Sequence, residues 1–153
     1  MALMVSCKSK ENTTVVKETI VIENKKDQTV FFFFEVFKKK DTYKISLVKQ
    51  QITLAKLKGV FRKEIPVENR KNEHWLISFK NENQNNIQIQ IANPLIQKYE
   101  VGNTDGTLSS GTIFHDKVTF VVRIPYNTRI DTIVFEKIIK DKNNLEFLDQ
   151  ITL

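Results

Sequence analysis

The chain has 153 residues, enough for one domain with a buried core, and its 41% hydrophobic and 27% charged residues exclude a disordered protein. No apolar run approaches the roughly 20 residues of a membrane-spanning helix. The formal net charge is +6, but the lysines are interspersed with acidic residues, as in residues 137–142, and no nucleic-acid-binding motif occurs. We therefore expect no nucleic-acid partner.

A short apolar stretch leads to Cys7, the only cysteine of the chain. Residues 3–5 are apolar, Ser6 is small, and residues 8–12 are polar. This order resembles the end of a bacterial lipoprotein signal, in which the cysteine thiol takes a diacylglycerol. The positive region and the hydrophobic region of about 7 to 15 residues that such signals carry are missing, so we expect the native start to lie upstream.

The resemblance implies that residues 1–12 are a residual lipoprotein signal and tether, with Cys7 as the lipidation site. The protein would then be a membrane-anchored lipoprotein of the cell envelope. An ordinary cytoplasmic start with an incidental cysteine is the alternative.

Three β-rich runs occupy the first third of the chain. Residues 13–22, TTVVKETIVI, are largely β-branched and predict a first strand. Residues 30–37, VFFFFEVF, are apolar at seven of eight positions, which predicts a strand covered on both faces. Residues 43–57 predict two strands or one bent strand, although helical spacing fits part of the run.

The middle of the chain predicts two strands separated by polar turns. Residues 62–72 are charged and contain Pro66, which indicates a loop or an edge. Residues 74–79, HWLISF, predict a strand with Trp75, Ile77 and Phe79 on one face. Residues 87–91, IQIQI, alternate strictly, which is typical of a strand with one buried and one wet face.

Residues 95–116 are the most loop-like segment and contain three of the four glycines. Asp105-Gly106 is a strong signal for a tight turn, because both residue types tolerate a positive φ. We therefore expect residues 96–101 and 107–114 to form a short, exposed hairpin.

The strongest pattern lies at residues 117–139. Residues 118–124 alternate at period two, Pro125 ends the run, and a second β-rich run begins at residue 130 after a polar connection. Two such runs predict a β-hairpin, and residues 145–153 predict a last strand.

Eight to ten short strands with turns between them predict an all-β fold. An antiparallel, immunoglobulin-like β-sandwich is the first expectation and a β-barrel the alternative. We expect residues 13–153 to form a single domain.

Several of these residues also resemble a known family. Residues 93–96, residues 98–100, Asp105-Gly106 and residues 120–127 are similar to the N-terminal β-sandwich domain of immunoglobulin-A-type metallopeptidases, and to small surface lipoproteins, of the Bacteroidetes. The resemblance covers residues 93–138. The peptidase active site of those proteins lies in another domain, and this chain has no His-Glu-x-x-His sequence.

The residues that could carry chemistry do not form a recognisable catalytic pattern. His74 and His115 lack a second ligand at metal spacing. Ser109-Ser110 and His115-Asp116 suggest a catalytic triad, but nothing places a serine on a nucleophile elbow. We therefore expect no enzyme, no metal and no cofactor.

The remaining candidate is a non-catalytic binding or structural accessory module with a protein or glycan partner at the cell surface. Its expected binding loop comprises Tyr99, Leu108, Phe114 and His115, because binding residues concentrate on loops held by a rigid scaffold. The alternative for Phe114 and Leu108 is that they cap the core.

Two other functions stay open. One is a lipocalin-like carrier of an apolar small molecule, and the other is an enzyme of an unrecognised type. A carrier needs a cavity, whereas the many phenylalanines predict a filled interior without a pocket of roughly 300 Å³.

Overall fold

The computed structural model describes residues 28–58, 61–82, 86–126 and 129–153. These residues form nine strands, all in antiparallel pairs. The strands are β1 (Gln28–Lys39), β2 (Thr42–Leu54), β3 (Trp75–Lys80), β4 (Ile87–Ile91), β5 (Ile96–Gly102), β6 (Leu108–Phe114), β7 (Lys117–Pro125), β8 (Thr132–Ile138) and β9 (Leu145–Thr152). A short 3₁₀ turn at Val67–Asn69 lies in the segment predicted to be a loop or an edge.

The strands form an antiparallel β-sandwich. One layer has the order β2-β1-β7, the other has the order β4-β3-β8-β9, and β5 and β6 form a separate two-stranded sheet. The layers do not close into a barrel. The predicted fold class is therefore confirmed, and its barrel alternative is wrong.

The predicted hairpin over residues 117–139 is wrong. Both of its strands exist, but β7 pairs with β1 in one layer, whereas β8 pairs with β3 and β9 in the other. The connection therefore crosses from layer to layer. A hairpin and such an arch have the same local pattern, because each joins two alternating runs by a short polar link.

The core consists of aromatic rings that meet between the two layers. Phe34 of β1 contacts Phe135 of β8 edge-on, with their ring centroids 5.1 Å apart. Phe32 lies 5.2 Å from Phe79, and Trp75 packs edge-on at 6.0 Å against Phe120. Facing sheets stand about 10 Å apart, and these rings span that space.

The even and odd residues of β1 face opposite sides of their sheet. Phe32 and Phe34 are buried in the core, whereas Phe31 and Phe33 are half-buried on the outer face. The amino group of Lys49, on the neighbouring strand, lies 5.6 Å from the centroid of the Phe33 ring. The expectation that both faces are covered is therefore correct only for the inner face, because among the described residues no second sheet packs on the outer one.

The run at residues 43–57 forms one strand, β2, with a bulge. Phe33 pairs with Lys49 and Phe34 with Leu47, so Val48 is the extra residue. The bulge explains why the sequence pattern is weak: the residues of β2 that pair with the inner face of β1 are odd-numbered before Val48 and even-numbered after it. A helix is not formed there.

A second bulge lies in β9, where Leu148 is the extra residue and is buried in the core. Strands β2 and β9 are the edge strands that meet along one side of the sandwich, where the Ile45 amide donates to Asp149 Oδ2 at 2.6 Å. Bulges increase local twist and bend a strand. The bulged edges therefore close this side of the sandwich.

Some predictions fall outside the described residues. They are the first strand at residues 13–22, the signal and tether at residues 1–12 with Cys7, and the turn after Pro125. Among the described residues, no helical segment has the length and apolar character that crossing a membrane requires.

The two environments along β1 give a test of the core. Phe34 is 0% exposed and Phe37, on the same strand, is 43% exposed. We expect Phe34→Ala to lower the free energy of unfolding by about 3 to 5 kcal/mol, because it leaves a cavity between the layers. Phe37→Ala should lower it by less than about 1 kcal/mol. Urea denaturation measures both, and equal losses would contradict the assigned inner face.

Candidate functional site

The predicted exposed hairpin is present as β5 and β6. These strands form a two-stranded ribbon that belongs to neither layer of the sandwich. Each has seven residues, and the pairing runs without a register shift from Ile96↔Phe114 to Gly102↔Leu108. Nearly all of its residues are exposed, so the ribbon is an arm on the sandwich and not part of its core.

The base of the ribbon is fixed to the sandwich. Leu95, just before β5, is buried in the core at 4% exposure. The His115 amide donates to the Leu95 carbonyl at 2.9 Å, and the Lys38 amide of β1 donates to the Asp116 carbonyl at 2.8 Å. These contacts set the direction in which the ribbon leaves the domain.

The tip of the ribbon is ordered by its own hydrogen bonds. Asp105 Oδ1 accepts from the Thr107 amide at 2.9 Å and from the Thr107 hydroxyl at 2.6 Å. These hydrogen bonds lower the pKa of the Asp105 carboxyl, because they favour its charged form. Gly106 has a φ of +82°, as the Asp105-Gly106 signal predicts.

Large apolar side chains lie exposed on both faces of the ribbon. Leu108 and Phe114 are 73% and 76% exposed, and the register places both on one face, near the tip and the base. Tyr99 lies on the other face, as do Val101 and Ile113, and all three are exposed. Leu108 and Phe114 therefore do not cap the core.

Tyr99 is held flat against its cross-strand neighbour. Tyr99 pairs with Gly111, and a methyl group at Gly111 would overlap the Tyr99 ring carbon Cζ. Only a glycine leaves room for the ring in this position.

His115 lies at the base of the ribbon and is partly buried. Its Nε2 is 3.1 Å from Gln97 Oε1. The other histidine, His74, precedes β3, and burial followed by the nearby Lys71 and Lys98 charges lowers its pKa. Among the described residues, no group of three or more His, Cys, Asp or Glu side chains could hold a metal ion.

Phe114 and His115 also line a cavity of about 470 Å³ beneath the ribbon. Its wall includes Lys137, whose amino group lies 2.7 Å from Glu73 Oε2. The hydrogen bond to Glu73 is the main cause that raises the pKa of Lys137. The cavity therefore contains an ion pair beside the exposed ring of Phe114.

A larger cleft lies on the opposite side of the sandwich from the β2–β9 contact, and the sequence did not predict it. It has a volume of about 600 Å³ and opens between the edge strands β4 and β7. Its lining residues are Leu57, Lys58, Phe61, Arg62, Ile65, Asn69, Gln88, Ile89, Gln90, Ile91, Val121, Val122 and Arg123.

The prediction of no pocket of roughly 300 Å³ concerned the interior between the layers, whereas this cleft is open at the edge of the sandwich. The aromatic rings fill the space between the layers, but they do not fill the space beside the edge strands. The sequence could not reveal the cleft, because it depends on which strands form the edges.

No family model matches this chain, and no curated protein or solved structure is significantly similar to it. The resemblance over residues 93–138 therefore stays a prediction. Any function proposed for this chain has to be argued from the ribbon and the cleft.

The Tyr99–Gly111 contact gives a test of the ribbon. Gly111→Ala should displace the Tyr99 ring, because the new methyl group overlaps the end of that side chain. Gly102→Ala is the matched control, since a methyl group there meets no atom within 4 Å. Nuclear Overhauser effects between the ring protons of Tyr99 and the backbone protons of residue 111 should disappear in Gly111→Ala alone. Their survival would contradict the described packing.

Proposed function

We propose that this protein is a non-catalytic module of the cell envelope that binds a protein partner through the β5–β6 ribbon. The observation that carries the proposal is the exposure of Leu108 and Phe114 on an arm that is fixed at its base. Two large apolar side chains on one face of a fixed arm are positioned to serve as anchors in pockets of a partner protein.

The ribbon is ordered at both ends, which lowers the entropic cost of binding. Its tip is ordered by the Asp105–Thr107 hydrogen bonds and its base by those of His115 and Asp116. A preorganised element loses little conformational entropy when it binds. A buried aromatic side chain removes about 150 to 250 Å² from water, so Phe114 alone would make a substantial contribution.

The chemistry of the ribbon favours a protein over a glycan as the partner. Tyr99, at 44% exposure, carries a hydroxyl, but the most exposed large side chains of the ribbon are aliphatic or phenyl: Phe114, Leu108 and Val101. Such groups offer no hydrogen bonds to sugar hydroxyls, whereas they complement an apolar patch on a protein.

The packing of the core supports a binding module over a carrier of apolar molecules. A carrier holds its ligand inside the fold. Here the space between the layers contains the rings of Phe32, Phe34, Phe79 and Phe135, all of which are at most 1% exposed. A ligand there would have to displace these rings.

Photocrosslinking in living cells tests the ribbon. A photoreactive phenylalanine analogue at position 108 or 114 should give an adduct with one discrete protein, because both positions would lie in the interface. The same analogue at Val48, which is 62% exposed on β2, is the control and should give none.

The protein recovered in that adduct allows a quantitative test. Leu108→Glu should weaken its binding about tenfold or more, because a charge would be buried in an apolar contact. Val48→Glu should change it less than about twofold. Equal affinity of Leu108→Glu and the unchanged protein would overturn the proposed surface.

The envelope location depends on Cys7 and has its own test. Expressed with its native upstream region in the source organism, the protein should appear in the membrane fraction and incorporate labelled palmitate. Cys7→Ser should remove the label and leave the protein unprocessed or released. Equal soluble recovery of both forms would exclude lipidation at Cys7.

A further inference from the structure

We propose that the cleft between β4 and β7 binds an extended, acidic segment of a partner protein, which adds to the sandwich as a strand beside β7. The proposal is independent of the ribbon, because the cleft lies at an edge of the sandwich layers to which β5 and β6 do not belong.

The outer edge of β7 pairs with no strand of the described residues. The Tyr126 amide donates to the Gln28 carbonyl at 2.9 Å, and the β1–β7 register continues without a shift down to Phe37↔Lys117. Backbone groups of successive residues in a strand point to alternate sides. The N–H and C=O groups of Thr119, Val121 and Arg123 therefore point away from β1, and no described residue pairs with them.

The position of Pro125 fits this assignment. It is the last residue of β7. Like Val121 and Arg123, it is an odd-numbered residue, so the position of its missing N–H points away from β1. Proline within a sheet is confined to such edge positions. The outer side of β7 thus presents hydrogen-bonding groups over three residues before it ends.

The segment before β3 covers part of the opposite wall of the cleft. The Gln88 amide of β4 donates to the Arg62 carbonyl at 2.9 Å, and the Ile65 amide donates to the side chain of Gln88 at 2.8 Å. The Lys71 amide donates to the side chain of Gln90 at 3.0 Å. Because the segment before β3 occupies the β4 edge, an added strand would pair with β7 and rest its inner side chains against the apolar part of this segment.

The charge of the cleft specifies an acidic occupant. Three cations, Lys58, Arg62 and Arg123, line it, and the described residues contribute no carboxylate to its lining. Within the described ranges, none of these three side chains forms an ion pair. A negatively charged chain would complement this field, whereas a second copy of the protein, with its formal net charge of +6, would be repelled.

The apolar lining indicates the pattern of the occupant. Leu57, Phe61 and Ile65 lie along the cleft. In an added strand, backbone hydrogen bonds give affinity and alternate side chains give specificity. Acidic residues at every second position would face the cations while small apolar residues meet this lining.

Fluorescence anisotropy with a labelled nine-residue peptide of alternating glutamate and valine tests the proposal on the full chain. The peptide should bind, and its affinity should fall as the salt concentration rises. Replacing its glutamates by lysine should abolish binding, and methylating alternate backbone nitrogens should do the same, because the added strand then lacks its donors. Absence of binding by the acidic peptide, or equal binding by the methylated one, would overturn strand addition.

Two charge reversals give matched variants. Arg123→Glu should weaken binding of the acidic peptide about tenfold or more, because it places like charges side by side. Lys44→Glu reverses a charge at an exposed position of β2, on the other edge of the same layer. It should change the affinity for the acidic peptide less than about twofold. Equal effects of the two variants would show that the protein's net charge, and not the cleft, attracts the peptide.

Amide hydrogen exchange distinguishes the competing occupants. In the free protein, the amides of Val121 and Arg123 should exchange fast, and the acidic peptide should slow them. Slow exchange in the free protein at every dilution would show that the chain covers its own edge, for example with residues 13–22. Slow exchange that appears only at high protein concentration would show pairing between copies. Either result would overturn the proposal.

Discussion

The edge-on contact between the rings of Phe34 and Phe135 joins the two layers at the centre of the sandwich. Phe34 also contacts Phe120 at 5.4 Å, and Phe120 in turn packs against Trp75. Each layer alone would expose these rings to water, so neither is stable without the other. The spacing of the layers, and thereby the position of every edge strand, depends on this cluster.

The two sides of the sandwich differ because their edge strands differ. On one side, β2 and β9 are bulged and are joined through the carboxylate of Asp149. On the other side, β4 and β7 leave a cleft that the segment before β3 covers only along β4. Natural proteins protect exposed edges with charge, proline and coverage, and β7 carries Arg123 and Pro125. No described residue pairs with the backbone groups on its outer edge.

The ribbon has a different source of stability from the two layers. Its two strands have no second layer, and an isolated hairpin is only marginally stable. Here the buried Leu95 at its base and the Asp105–Thr107 hydrogen bonds at its tip supply the missing support. Its exposed Leu108 and Phe114 are not needed to hold the fold together. This is why their exposure supports a role in binding.

The amino-acid sequence by itself determined the features that depend on neighbouring residues. It indicated the β-strands, the inward face of β7, and the ribbon with its Asp105-Gly106 turn, because side-chain alternation and turn preference are local properties. The tertiary structure decided which strands pair: β7 pairs with β1, about 90 residues away along the chain, and not with β8. The β4–β7 cleft and the cations around it follow from that pairing, whereas the bulge at Val48 arises in the pairing of β1 with β2. Strand partners are selected by how distant side chains fill a shared core, and no local pattern contains that information.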